Sequence, residues 1–224
     1  MLGGGERVHL GPDGNVPGGT VSLIFHTHPK SRGRIVRWML EECGCEYETR
    51  GVDYGPAMQN AEYRRINPMG KVPAIEHDGQ IVTEAAAICA CLADAFPAAG
   101  LAPAPNERGA YYRWLFFAAG PLEAAIVNQA LGVELSTEQQ VFVGYGSLAR
   151  VLDTLESALE TDEFIAGGAF STADLYLGSQ IGFGLQFNTI EARPAFSRYW
   201  ERLNKREAYA RANALDDRLL EEAS

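Results

Sequence analysis

The sequence predicts a mixed α/β unit followed by an all-helical unit. Between residues 21 and 98, apolar residues change twice from strand to helix periodicity, in the order β-α-β and then β-β-α. Beyond a segment rich in Pro and Gly at 97–105, they recur only at helical spacing. Elements in that order form a small mixed sheet with helices packed on it, followed by a helical bundle.

In the first half, the pattern predicts four strands and two helices. The predicted strands lie at 21–25, 47–52, 72–75 and 80–82. The first helix starts near Ser31, which can cap it, and Gly44 is placed to end it. Asp78-Gly79 predicts a tight hairpin turn between the last two strands. Glu84 then opens the second helix.

The second half contains start and stop signals for helices only. One long helix is predicted over Asn106–Leu131, with a kink at Pro121, because proline lacks the amide hydrogen of the helical ladder. A capping box at Ser136–Gln139 predicts the start of a leucine-rich helix. A sharper one lies at Ser171–Asp174, where we interpret the aspartate as a buried cap. Pro194 begins the last predicted helix.

Composition limits the class of protein. The chain has 224 residues and a mass of 24.3 kDa, which suits one large or two small domains. A net charge of −10 opposes a general role in coating nucleic acid or anionic lipid. The most apolar stretch, 111–131, is interrupted by charged side chains and Pro121, so it does not predict a membrane span. We expect a cytoplasmic protein whose partner is a small molecule or another protein.

The predicted domain division has four parts. Residues 1–20 have the composition of a flexible, Gly-rich leader and lack the apolar block of a signal peptide. We assign 21–98 to the α/β domain, 99–106 to a linker and 107–224 to the helical domain.

Neither the cysteines nor the histidines predict a metal site. The cysteines form two C-x-C pairs, Cys43 with Cys45 and Cys89 with Cys91. Residues two apart on a helix point in nearly opposite directions, so we expect reduced structural thiols that neither bind one metal nor close a disulfide. His26 and His28 stand two apart in a short loop without a third ligand nearby.

Four motifs together resemble the cytosolic glutathione S-transferases, in particular bacterial-type members with a Ser-Arg-Gly motif before the first helix. The motifs are Ser31-Arg32-Gly33-Arg34 with the helix after it, NPMGKVPAI at 67–75 with IVTEAAAI at 81–88, STAD at 171–174, and RPAF at 193–196. The resemblance covers about residues 21–212. It implies a thioredoxin-like β-α-β-β-α domain, a C-terminal helical bundle, a homodimer, and glutathione as cosubstrate.

The resemblance also implies residues for binding glutathione. Val72, held before a cis Pro73, would pair with the cysteinyl backbone as a short strand would. The amides at Glu84 and Ala85 would receive the γ-glutamyl carboxylate, and the Glu84 carboxylate would meet the ammonium group. Family members usually have Ser where this chain has Ala85, which removes one hydroxyl contact. Lys71 would pair with the glycyl carboxylate or remain solvated.

Activation of the glutathione thiol calls for a hydroxyl in the loop before the first helix. Family members use Tyr, Ser or Cys there, and this loop has neither Tyr nor Cys. Ser31 is therefore the leading donor, with helix capping as its alternative role, and Thr27 is next. A shifted alignment would place His28 or Lys30 at that position. Arg32 is the expected cationic helper, unless it belongs to a merely solvated basic face.

The second substrate is expected to bind against the first helix of the helical domain. Aromatic side chains cluster there, of which one or two would line the pocket: Tyr111, Tyr112, Trp114, Phe116 and Phe117.

The leading functional hypothesis is conjugation of the glutathione thiolate to a small hydrophobic electrophile. One alternative is a glutathione-dependent peroxidase or disulfide-bond reductase that uses the same site. The other is a non-catalytic, dimeric glutathione-binding scaffold.

Overall fold

The N-terminal domain is built on a four-stranded mixed sheet of order β2-β1-β3-β4. The computed structural model describes residues 23–222, so the predicted leader lies outside the described residues. The strands are β1 (Leu23–Thr27), β2 (Glu48–Gly51), β3 (Ala74–His77) and β4 (Gln80–Thr83). Strand β1 pairs in parallel with β2 and antiparallel with β3, and β4 completes the hairpin with β3. The predicted fold class is confirmed.

Eleven α-helices are found among the described residues. They are α1 (Gly33–Cys43), α2 (Pro56–Gln59), α3 (Tyr63–Ile66), α4 (Ala85–Ala95), α5 (Gly109–Phe117), α6 (Glu123–Ala130), α7 (Gln139–Phe142), α8 (Leu148–Thr161), α9 (Thr172–Gln186), α10 (Pro194–Leu203) and α11 (Glu207–Glu222). Short 3₁₀ turns lie at Pro97–Ala99 and Pro105–Glu107. None of these helices is long and apolar enough to span a membrane.

Two of the three local signals in the N-terminal domain act as the sequence predicts. Gly44 adopts a left-handed conformation with φ 63°, and its N–H donates to the Leu40 carbonyl at 3.1 Å, which ends α1. Asp78 and Gly79 both have positive φ, as a two-residue hairpin turn requires. Arg32, and not Ser31, occupies the N-cap position of α1.

The long helix predicted over residues 106–131 is interrupted. A π-helical segment at Ala118–Leu122, which contains Pro121, separates α5 from α6. Because Pro121 has no N–H to donate, the backbone there takes a wider turn. The kink is therefore found where the sequence predicts it, although the predicted start at Asn106 is a 3₁₀ turn rather than α-helix.

The prediction of one helix from Ser136 through the following leucines is wrong. Ser136 does form a capping box with Gln139, but α7 lasts only one turn. Gly144 and Gly146, the latter with φ 67°, interrupt the helix. A second start follows, where Ser147 caps α8 by accepting the Arg150 N–H at 3.2 Å.

One hydrophobic core joins the two domains. Trp38 and Met39 of α1 are buried in the same cluster as Leu175 and Leu177 of α9. The α9 cap supports this junction, because the fully buried Asp174 accepts hydrogen bonds from the Ile165 and Ser171 amides, the Ser171 hydroxyl and the Tyr199 hydroxyl. Burial raises the pKa of Asp174. The interpretation of this residue as a buried cap is supported.

Helix α11 follows α10, so the prediction that the helix beginning at Pro194 is the last one is wrong. Its sequence is mostly alanine and charged residues, and it therefore shows no wide apolar stripe. It packs along α1, where Arg37 and Asp216, exposed by only 2% and 1%, form an ion pair at 2.8 Å. This contact places α11 beside the loop that precedes α1.

Candidate functional site

A cleft of 940 Å³ lies between the two domains. The N-terminal domain contributes the loop from Pro29 to Arg32, together with Lys71 and Val72. The C-terminal domain contributes residues of α6, α9 and α11. Clefts of this size between domains are common ligand sites.

Ser31 lines this cleft just before α1. Its Oγ donates to the His28 carbonyl at 2.7 Å and accepts the Gly33 N–H at 2.9 Å. The side chain therefore stabilises the start of α1 and also presents a hydroxyl to the cleft. To donate to a ligand, the hydroxyl would exchange its bond to His28 for one to the ligand.

Thr27 and His28 do not line the cleft. Thr27 is fully buried and its hydroxyl has no hydrogen-bond partner within the described part of the chain. It packs against Gly33, where an added Cβ would lie 1.9 Å from Thr27 Oγ1. The His28 ring packs on Tyr54 with ring centroids 4.2 Å apart, and its Nδ1 accepts the Lys30 N–H at 3.2 Å. Ser31 is thus the predicted hydroxyl that faces the cleft.

The basic residues of the loop differ in how they are paired. Arg32 forms an ion pair with Glu123 of α6 at 2.7 Å, so it links the two domains. Arg34 donates to the Pro29 carbonyl and to Asn213 and Asp217 of α11. By contrast, the ammonium groups of two cleft residues, Lys30 and Lys71, have no ion pair within residues 23–222. These two lysines give the cleft its unpaired positive charge.

The turn before Val72 is rigidly held. Asn67 donates through Nδ2 to the Lys71 carbonyl at 2.8 Å, and the Tyr63 hydroxyl donates to the same oxygen at 2.7 Å. Gly70 has φ 59°, and a Cβ there would lie 2.7 Å from the Met58 carbonyl, so the site requires glycine. The NPMGK motif therefore fixes the backbone that enters Val72.

Val72 offers an open backbone to the cleft. The Val72–Pro73 peptide bond is cis, as predicted. Among the described residues, neither the N–H nor the C=O of Val72 has a hydrogen-bond partner. Since buried or half-buried backbone groups are almost always paired, this residue is suited to a ligand that supplies a donor and an acceptor.

Glu84 lies at the same end of the sheet as Val72. Ala74 of β3 pairs with Thr83 of β4, so Pro73 and Glu84 each stand one residue beyond this pair. Glu84 is exposed and precedes α4 with φ 67° and ψ 114°, a conformation that costs free energy for a residue other than glycine. Ala85 is the first residue of α4. The structure thus brings Lys71, Val72, Pro73, Glu84 and Ala85 together at one edge.

The aromatic cluster of α5 does not line the cleft. Tyr111 and Trp114 are buried in the core, whereas Tyr112 and Phe116 are exposed outside the cleft. The apolar wall has other members, which are Ile126, Phe183, Phe187, Tyr209 and Leu220. Sequence reasoning missed them because it placed the second-substrate pocket at the aromatic residues of α5 and did not predict α11.

No group of three or more His, Cys, Asp or Glu side chains between residues 23 and 222 is arranged to hold a metal ion. The chemistry that the described cleft offers is that of a hydroxyl, two cations, a helix N-terminus and an open backbone edge.

Comparison with known proteins identifies the family. Two family models match, the N-terminal domain of glutathione S-transferases over residues 32–95 and their C-terminal domain over residues 124–207. Glutathione S-transferase F10 of Arabidopsis thaliana is 28% identical over 193 residues, which cover 78% of this chain and 88% of the plant protein.

Solved structures agree with these matches. A glutathione transferase from Methylococcus capsulatus superposes with a TM-score of 0.73 at 28% identity, covering 87% of this chain and 98% of that one. A sphingomonad glutathione S-transferase, solved with glutathione, gives a TM-score of 0.70 at 28% identity over 87% of this chain and 98% of its own. With both domains matched in order, this chain belongs to the glutathione S-transferase family.

Proposed function

We propose that this protein is a glutathione transferase that binds glutathione at the Val72 edge and directs its thiolate at a small hydrophobic electrophile. The observation that carries the proposal is the open backbone of Val72 in the same cleft as Ser31. A peptide substrate satisfies both backbone groups as an added strand would. The sphingomonad relative, which was solved with glutathione, supports the same ligand for this chain.

Each charged end of glutathione has a complementary group at this edge. Lys71 pairs with the glycyl carboxylate. The first amides of α4, at Glu84 and Ala85, receive the γ-glutamyl carboxylate, while the Glu84 side chain pairs with the ammonium group. Because Ala85 lacks a hydroxyl, the carboxylate there depends on backbone donors alone.

Ser31 activates the thiol. A free thiol has a pKa near ~8.5, and lowering it by about two units requires about 2.7 kcal/mol of thiolate stabilisation. The Ser31 hydroxyl supplies one hydrogen bond, and the N-terminus of α1 supplies a favourable dipole. Arg32 adds little positive charge for the thiolate, because its ion pair with Glu123 neutralises the guanidinium. Its contribution is to hold the loop before α1 in place against α6.

The electrophile meets the opposite wall of the cleft. This wall has an apolar surface formed by Ile126 of α6, Phe183 of α9 and Phe187, which directly follows α9. An apolar electrophile buries its surface there while its reactive carbon faces the sulfur. We infer that the enzyme acts as a homodimer in the cytoplasm, where its four free thiols remain reduced.

The test compares Ser31→Ala with Thr27→Val in a conjugation assay over a range of pH. Removal of the Ser31 hydroxyl should raise the pH midpoint of conjugation toward the free-thiol value of about 8.5 and leave glutathione affinity nearly unchanged. Thr27→Val removes a buried hydroxyl outside the cleft and should leave the midpoint unchanged. A midpoint that moves only with Thr27→Val would contradict the role given to Ser31.

A further inference from the structure

One buried polar side chain belongs to the otherwise apolar wall of the cleft. Gln180 of α9 is only 7% exposed, yet it lines the cleft together with Ile126 and Phe183. Buried polar groups are almost always hydrogen-bonded, so both ends of the Gln180 amide require partners. Within residues 23–222, only the nitrogen end has them.

Glu123 of α6 binds the nitrogen end of this amide. Gln180 Nε2 donates to Glu123 Oε2 at 3.4 Å, and the other carboxylate oxygen, Oε1, pairs with Arg32 Nη2 at 2.7 Å. A carboxylate in an ion pair only accepts hydrogen bonds, so the amide turns its NH₂ group, and not its oxygen, toward Glu123. The contact with Glu123 therefore assigns the orientation of the Gln180 amide.

Tyr176 supports the same orientation. It lies one helical turn before Gln180, and its hydroxyl also donates to Glu123 Oε2, at 3.3 Å. Burial, and then the charge of Glu123, raise the pKa of Tyr176, so the phenol keeps its proton and remains a donor. The contribution of Gln180 lowers this pKa, as a donated N–H does, which again places the NH₂ group on this side.

The oxygen end of the amide is free to bind a ligand. Gln180 Oε1 accepts no hydrogen bond from the described part of the chain, and the side chains of Ile126, Phe183 and Phe187 in the same wall have no donor to offer. An apolar ligand that covered this oxygen would remove its water without replacing the hydrogen bond, which costs free energy. A ligand with a donor at that position avoids the cost.

We propose that Gln180 determines the class of electrophile, which is an apolar molecule with one hydroxyl group that donates to Gln180 Oε1. This inference rests on the function proposed above, because the electrophile is the second substrate of that reaction. Gln180 contacts Glu123, and Glu123 contacts Arg32, which follows Ser31 in the sequence. The hydroxyl is therefore bound near the loop that activates the sulfur, where one hydrogen bond helps to orient the reactive carbon.

Stable thioethers of glutathione test this inference without a reaction. S-(2-phenylethyl)glutathione carries the apolar body alone, and its ortho-, meta- and para-hydroxyphenyl analogues each add a single hydroxyl. In calorimetric titrations of the full chain, one hydroxylated isomer should bind about 2–13-fold more tightly than the parent, the range for one neutral hydrogen bond. Gln180→Met has a side chain of similar size without the amide oxygen, and it should lose this preference.

Gln186→Met is the matched control, because Gln186 lies on the same helix and also lines the cleft. This variant should retain the preference for the hydroxylated isomer. Equal affinity of the native chain for all four thioethers would overturn the role of Gln180 and leave the glutathione site intact, as would a preference that survives Gln180→Met. Failure of all four thioethers to bind would overturn the glutathione site itself, and this inference with it.

Discussion

Glu84 has a backbone conformation that side chains other than glycine avoid. Its φ of 67° and ψ of 114° place it outside the ordinary strand and helix regions. Such strain typically costs about 1–3 kcal/mol and is retained where the position serves a ligand. Here the strain indicates that Glu84 has a role in ligand binding. Its carboxylate serves as a binding group, and its backbone conformation orients the first amides of α4.

Glu84→Gly should therefore separate stability from binding. Glycine adopts positive φ without strain, so the free energy of unfolding should rise by about 1 kcal/mol in urea titrations. Glutathione affinity should fall, because the carboxylate is lost. Glu84→Gln serves as the control: it keeps the strained backbone, so its unfolding free energy should stay within about 0.5 kcal/mol of the native chain. Equal stability of the glycine variant and the native chain would argue against strain at this residue.

The sequence predicts the position of some residues of the site better than that of others. Val72, Pro73 and Glu84 lie in two nearby motif segments, 67–75 and 81–88, and the structure places them at one edge of the sheet. Thr27 and Ser31 could not be ranked with the same certainty, because the sequence does not show which hydroxyl faces the cleft. The close approach of Gly33 to Thr27 decides this, and it depends on how α1 packs on β1.

At the scale of elements, the contact between α1 and α11 completes the cleft. Arg34 and Arg37 of α1 reach Asp217 and Asp216 of α11, respectively. The Arg37–Asp216 pair is buried, and each partner has one further atom, Arg37 Nη2 and Asp216 Oδ2, without a hydrogen bond to any of the described residues. Loss of one partner would leave an uncompensated charge in the interior.

Asp216→Ala should destabilise the protein by about 3–5 kcal/mol, because it leaves the Arg37 guanidinium buried and unpaired. The neighbouring pair offers a matched control, since Asp217 is 60% exposed in its ion pair with Arg34. Asp217→Ala should cost only about 0–1 kcal/mol. Denaturant unfolding of the two variants measures the difference. Similar losses for both would show that α11 is not anchored through Arg37.

Helix α11 also shows where sequence reasoning fails for elements. The four strands, α1 and α4 of the N-terminal domain follow from apolar periodicity and from turn residues such as Gly44 and Gly79, whereas the one-turn helices α2 and α3 were not predicted. In α11 the buried positions are Ala208, Ala212 and Asp216, none of which marks an apolar face in a sequence. The helix is stabilised by its partner α1, and that information is not local.

At the scale of the molecule, exposed apolar side chains occur on both domains. Met69 and Ile81 of the N-terminal domain are 68% and 47% exposed, and Phe116 and Tyr112 of α5 are 65% and 42% exposed. In a two-fold dimer, the N-terminal domain of each subunit would pack against the C-terminal domain of its partner. This arrangement would cover the exposed apolar side chains of both domains.

Light scattering on the full chain should therefore report about 49 kDa, twice the chain mass of 24.3 kDa. Phe116→Glu should shift the mass toward that of the monomer, because it places a charge in the proposed interface. Phe142→Glu provides the control, since Phe142 is 88% exposed on α7, outside the proposed interface. A monomeric native chain would contradict the dimer.

Calorimetric titration of the native chain with glutathione tests the proposed glutathione site. We expect saturable binding of one glutathione per chain. Glu84→Gln should weaken it roughly 10–150-fold, through loss of a charge-assisted contact of about 1.5–3 kcal/mol. Ala85→Ser should instead tighten it by up to about 13-fold, by restoring one hydrogen bond of about 0.5–1.5 kcal/mol. No binding by the native chain, or equal affinity in the native chain and Glu84→Gln, would contradict the glutathione site described here.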